Sequence, residues 1–200
     1  MPIPQGTYRY EIRHAGALAA VEEDFVADGA IRGVRSSPEG GNLHTVEGEL
    51  MADGAFVRVA LRYRRGMFKR DAVYVAVEET LRGSVSAMAG RNEVLVKLGR
   101  FREIDADLVV CRALIIDRTR MRGQRRLIGR VAVIDPNTLV AAAFKQTYSQ
   151  QDEVGLRWRR EARMGESDEI ELDAAGRIVR MRDGWGVETR LAAFTPAAPE

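Results

Sequence analysis

Apolar and polar residues alternate along most of this chain, and turn signals interrupt the alternation at short intervals. A period of two places successive side chains on opposite faces, as a strand does and a helix does not. Valine and isoleucine total 30 against 14 leucines, so β-branched residues reinforce the preference for strands. The clearest unit is Thr45 to Tyr63, where Asp53-Gly54 separates two alternating runs. A tight two-residue turn there puts Glu49 opposite Arg58, Leu50 opposite Val57 and Val46 opposite Leu61, giving one apolar face and one ion-paired face.

The same reasoning places a hairpin at Ala15-Gly16, with Tyr10 facing Val21 and Ile12 facing Ala19, and another at Asp28-Gly29 joining Val26 to Ile31. Asp135-Pro136-Asn137-Thr138 reads as a turn between strands Leu127 to Ile134 and Leu139 to Tyr148. Further strands are expected over Glu153 to Met164, Glu169 to Asp173, Arg177 to Arg182 and Trp185 to Leu191. Val73, Val77, Leu81, Val85 and Met88 recur at nearly helical spacing, but Val73 to Val77 is β-branched and Gly83 disfavours a helix, so residues 71–90 are read as strands with a helix held in reserve. The ends, Met1 to Gln5 and Thr195 to Glu200, carry four of the six prolines and are expected to fray.

About ten antiparallel strands cannot stay flat, because twist accumulates and open edges invite pairing. The expected fold is all-β: one domain over residues 1–200 with a core of about 6–194, its meander curled into a barrel or half-barrel with at most one or two helices. The architecture is that of lipocalin-like barrels or lipid-carrying half-barrels, whose concave face is filled by side chains or a helix, or left open for an apolar ligand. The Gly-x-Trp signature of lipocalins is missing near the start; the only tryptophan beside glycine is Trp185.

Composition limits the function classes. Thirty-one basic residues oppose 29 acidic ones, so the net charge of +2 offers no strong field for nucleic acid. No apolar run approaches the roughly 18 residues of a membrane helix, and the stretch Ala15 to Val21 runs into Glu22-Glu23-Asp24 rather than a cleavage site. The single cysteine, Cys111, lies in the apolar run Leu108 to Ile116 as a buried thiol, which suits a cytoplasmic location. Nucleotide-binding glycine loops, the zinc-protease helix, the serine-hydrolase elbow and Cys-x-x-Cys are all absent, and two histidines supply no metal set, so neither cofactor nor metal is expected.

The residues left to carry function lie at strand ends and on apolar faces. His44 follows the Gly40-Gly41-Asn42 loop, where an imidazole could act at a barrel mouth. Arg62, Arg64, Arg65, Lys69 and Arg70, with Arg118, Arg120, Arg122, Arg125 and Arg126, suggest a basic rim for a phosphate or carboxylate head group. Tyr63, Tyr148, Trp158 and Trp185 fall on the apolar phase of their strands, while Ala141-Ala142-Ala143 leaves room beside them. Consecutive acids such as Glu22-Glu23-Asp24 read mostly as solvent-facing partners for arginine.

Together these features favour non-catalytic binding of an apolar or amphipathic, lipid-like small molecule in the concave face, with Arg62, Tyr63, His44, Tyr148, Trp158 and Trp185 as candidate contacts. An all-β enzyme with a polar site at the mouth is the alternative. A third reading is an interaction or assembly protein, for instance a homodimer, using a sheet edge or face.

Overall fold

The computed structural model describes residues 3–39, 42–162 and 165–198, with the backbone alone at Asn42. The first arm runs β1 (Gly6–His14), β2 (Ala17–Ala27), β3 (Ala30–Ser36), β4 (Asn42–Leu50), β5 (Phe56–Arg65), β6 (Phe68–Val77), β7 (Thr80–Ala87) and β8 (Gly90–Lys97). A short β9 (Glu103–Asp105) leads into the helix α1 (Val109–Met121). The second arm follows as β10 (Arg126–Ile134), β11 (Ala141–Gln150), β12 (Arg157–Glu161), β13 (Ser167–Leu172), β14 (Ile178–Asp183) and β15 (Val187–Pro196).

All fifteen strands form one sheet, ordered β8-β7-β6-β5-β4-β3-β2-β1-β15-β14-β13-β12-β11-β10-β9, with β9–β10 as its one parallel pair. The ladder is not closed: β8 and β9 are its edges. The arms nonetheless approach each other, as a half-barrel must. The Tyr74 hydroxyl on β6 donates to the Leu139 carbonyl at 2.6 Å and accepts from the Ala141 amide at 3.2 Å. Gly99 passes so close to β10 that a Cβ there would lie 3.0 Å from the Arg130 carbonyl oxygen. Residues 71–90 are strands, and the expected count of about ten falls short because residues 68–105 supply four strands, β6 to β9, where the sequence marks one undivided segment; the six strands expected from Leu127 onward correspond to β10 to β15.

The helix lies where the sequence showed only an apolar run. Ten of its residues, from Val109 to Thr119, are buried, on every side of the helix, so no polar stripe marks it as amphipathic. Both arms wrap it. Leu108 reaches β3, where a Cβ on Gly33 would fall 2.2 Å from its Cδ1, and Arg112 reaches the Met181 sulfur on β14 at 3.4 Å. The concave face is therefore filled by α1.

The helix has no side-chain cap of its own, since Leu108 occupies the N-cap position. Its first two amides are instead received by β2: Val109 donates to Glu22 at 2.7 Å and Val110 to Asp24 at 3.2 Å. Both carboxyl groups are wholly buried. They point inward because of a register shift. A bulge between Ile12 and Arg13 pairs Tyr10 with Glu22 and Ile12 with Ala20, one residue beyond the expected partners Val21 and Ala19. A slip of one residue exchanges the faces of a strand, so Glu22 and Asp24 turn into the core while Phe25 turns out. This corrects the reading of these acids as solvent-facing.

Other expectations hold in part. Val46 faces Leu61 and Glu49 faces Arg58, with a 3.2 Å ion pair, but Leu50 pairs with Phe56 because a bulge lengthens the turn around Asp53-Gly54. Val57 is accordingly turned outward and Phe56 inward. The Asp28-Gly29 turn joins Val26 to Ile31 as expected. The described parts of the ends are not frayed: Ile3 is buried, Gly6 pairs with Pro196, and the Ala197 amide donates to the Gln5 carbonyl at 3.1 Å. Met1, Pro2, the tip Gly40-Gly41, the Arg163-Met164 end of the expected Glu153 to Met164 strand, and the last two residues lie outside the described residues.

Burial raises the Asp24 pKa well above the ordinary carboxylate value, and the Glu22 charge beside it raises it further. A carboxyl raised in the folded state contributes stability that is complete below its unfolded pKa and is lost as pH rises through its folded pKa. Asp24→Asn keeps the acceptor for Val110 and cannot ionise. Its urea midpoint relative to wild type should therefore rise steadily between about pH 5 and pH 9; parallel curves would show that Asp24 is already charged.

Candidate ligand site at one end of the half-barrel

Directly opposed residues in a sheet point to the same face, so inward side chains form rows across the strands. One such row reads Tyr10, Glu22, Arg35, His44, Tyr63 and Arg70, from β1 to β6. A second, in the other arm, reads Leu127, Tyr148, Arg160 and Asp168, from β10 to β13. The two rows face each other across the N-terminal part of α1, and the residues before and within the helix join them.

The connection is a chain of alternating charge. Arg35 donates to Glu22 at 2.7 Å and to Asp107 at 2.6 Å. Arg112 bridges Asp107 and Asp105, each at 3.3 Å, and stands 4.0 Å from Asp168, which Arg160 holds at 2.6 Å. Burial alone would raise the Asp107 carboxyl, but the Arg35 and Arg112 guanidiniums hold it below its usual range. Such pairs offset one another's desolvation only while every member is present.

This buried chain opens at one place. A recess of about 180 Å³ is lined by Ala19, Ala20, Arg35, Ser36, Ser37, His44, Tyr63, Pro136 and Asn137. Tyr63 and Asn137 also line a wider concavity of about 850 Å³ with Arg65, Gly66, Met67, Phe68 and Arg70. Its outer wall is the β5–β6 turn, where Met67 and Phe68 are 84% and 69% exposed. The site thus grades from a polar floor to an apolar lip.

His44 is the most informative group in the recess. It is buried, and neither ring nitrogen has a hydrogen-bond partner. Burial lowers its pKa, the nearby Asp107 opposes the fall, and Arg35 adds to it. The imidazole is therefore neutral near pH 7, with one nitrogen to donate and one to accept. Although Ser36 and Ser37 share the recess, no nucleophile is hydrogen-bonded to the ring, so the base–nucleophile pair of covalent catalysis is not assembled. Among the described residues no group of three or more His, Cys, Asp or Glu could hold a metal ion, and no helix is long and apolar enough to cross a membrane.

The structure brings only two of the six sequence candidates together: His44 and Tyr63 are direct cross-strand partners. Tyr148 is buried in the second polar row, where burial pushes its hydroxyl pKa up, but it does not line the recess. Trp158 is packed in the core with its indole N–H on the Gly155 carbonyl at 3.0 Å. Arg62 points out of the half-barrel, 3.7 Å from Asp71. Trp185 is 75% exposed at the tip of the β14–β15 turn, contrary to its expected place on an apolar face. Arg35, Asn137, Met67 and Phe68, which line the site, are not among the six sequence candidates. Arg35 was hidden because its inward phase follows from pairing with Glu22, itself a product of the bulge at Ala19 in β2.

The two basic loops do not form one rim. Arg65 and Arg70 belong to this end, whereas the loop after α1 lies with the β4–β5 turn at the other.

Arg35→Met should cost about 3–5 kcal/mol in urea unfolding, because it strands Glu22 as a buried carboxyl without an ion-pair partner and leaves Asp107 with Arg112 alone. Arg62→Met, which loses only an exposed pair, should cost no more than about 1 kcal/mol. Similar losses for both would remove the charge chain as a structural element.

No family model matches the chain, and no curated protein matches it. Among solved structures the chain is similar to a DUF1089 family protein from Pseudomonas aeruginosa, with a TM-score of 0.58 and 14% identity over 80% of this chain and 88% of that one. It is also similar to a beta-barrel-like protein of the domain of unknown function DUF1849 from Brucella abortus, with a TM-score of 0.58 and 11% identity over 98% of both chains. At these identities the likeness shows the fold alone: a nearly all-β, barrel-like architecture shared with domains of unknown function.

Proposed function

We propose that the protein binds an amphipathic small molecule, without chemistry, at the open end where the His44 recess meets the β5–β6 turn. The observation that carries this reading is the exposed Met67–Phe68 lip beside a buried polar recess whose imidazole has two unpartnered nitrogens. Because α1 fills the concave face, the ligand's room is at the mouth rather than deep in the sheet. A polar head would meet His44, Tyr63 and Asn137, and its chain would lie against Met67 and Phe68, with Arg65 and Arg70 favouring an anionic head. Barrel-like relatives of unknown function are compatible with a ligand-binding role, and the lipid-like class rests on this gradation of polarity.

Native mass spectrometry on gently purified protein would reveal a copurified ligand by its mass. Dodecanoate serves as a defined probe in calorimetric titration. Phe68→Ser should weaken its binding at least about 10-fold, as expected for loss of an aromatic contact of about 1.5 kcal/mol or more. Arg62→Ala, on the outer face, should leave it unchanged. Absence of saturable dodecanoate binding together with a bare native mass would defeat the reading.

A further inference from the structure

The opposite end of the half-barrel carries a different constellation. The chain between β8 and β9 brings Arg100, Phe101 and Arg102 against the last turn of α1 and the β4–β5 turn. The Arg122 guanidinium lies 4.7 Å from the Phe101 ring centroid and that of Arg100 lies 5.4 Å from it. Arg118, itself buried, donates to Glu103 at 2.6 Å and to Asp53 at 3.2 Å, while Arg122 donates to the other oxygen of Glu103 at 3.2 Å. These groups surround a concavity of about 480 Å³.

Charge does not balance there. Four guanidiniums, those of Arg100, Arg102, Arg118 and Arg122, face two carboxylates, Glu103 and Asp53, which leaves two positive charges. Cations at a helix C-terminus offset its dipole, and that accounts for Arg118 and Arg122. It does not account for Arg100 and Arg102, which come from outside the helix. Arg102 is delivered by a left-handed backbone, with φ 55°, a conformation that non-glycine residues avoid. Its remaining donors meet only a sulfur at 4.0 Å and the Ala76 carbonyl at 3.2 Å. The buried Nε atoms of Arg102 and Arg118 have no acceptor at all.

We propose that this arginine cluster is a second site, for a doubly charged oxyanion of the phosphate-monoester class. Such a group supplies two negative charges and several acceptors within a small volume, the complement of forked guanidinium donors. Arg100 and Arg122 present the outer donors, Arg102 the flank, and Arg118 the fixed positive floor. The Phe101 ring lies against both guanidiniums, a contact that leaves their N–H edges available. The assignment is independent of the ligand site at the other end.

The test is calorimetric titration of the full chain with inorganic phosphate and with glycerol phosphate at constant ionic strength, beside sedimentation with phosphatidylcholine vesicles containing or lacking phosphatidic acid. Saturable 1:1 binding of either soluble probe is expected, weakened at least 10-fold by Arg100→Ala and by Arg122→Ala. Arg100 is exposed, and in the Arg122 variant the buried Glu103 keeps Arg118 at 2.6 Å, so both variants should fold. Arg62→Ala, on the outer face and in neither site, should leave binding unchanged. Sedimentation only with phosphatidic acid, lost in Arg100→Ala, would support the same chemistry on a lipid head group. No binding to any probe, or binding lost in Arg62→Ala but kept in Arg100→Ala, would overturn the proposal.

Discussion

The docking of α1 through its first two amides is the interaction on which the rest of the structure depends. A helix surrounded by a curved sheet must satisfy its terminal N–H groups inside the protein, where an unmet donor costs about 1–3 kcal/mol. The carboxyl oxygens of Glu22 and Asp24 receive those groups from β2 at the positive end of the helix. The sheet thereby gains something to curve around, and the helix gains caps that its own sequence lacks.

Two acidic side chains in a core would be intolerable alone. Burial favours the neutral form of Asp24, while Glu22 is ion-paired with Arg35. From Arg35 the alternation continues through Asp107 and Arg112 to Asp168 and Arg160, so both arms of the sheet are tied to the segment that enters the helix. A network of this kind is weak evidence for added stability, since a well-packed apolar core of the same volume is often at least as stable. Displacing α1 from this position would leave charges buried without partners, so the network opposes other placements of the helix.

That placement also decides where ligands have room. The filled concave face leaves concavities at the two ends, and the ends differ in character. One combines a neutral imidazole with an exposed aromatic and thioether lip; the other gathers guanidiniums around a single aromatic ring. The ladder is open between β8 and β9, and the arms are bridged there by Tyr74 and by the close passage at Gly99 rather than by strand pairing.

The sequence by itself determined the strands, several turns and the curled antiparallel sheet, since period-two alternation and dipeptides such as Asp28-Gly29 act locally. Two of its candidate contacts, His44 and Tyr63, proved to be neighbours because their hairpin register follows from the same local signals. The tertiary structure decided the remainder. The single-residue bulge at Ala19 in β2 turned Glu22 and Asp24 inward, and no sequence pattern distinguishes that register from its neighbour. The helix was illegible because burial on all sides erases amphipathic periodicity, and Trp185 was misplaced because the alternation ends at its turn. Local periodicity specifies which faces exist; long-range pairing specifies which of them meet.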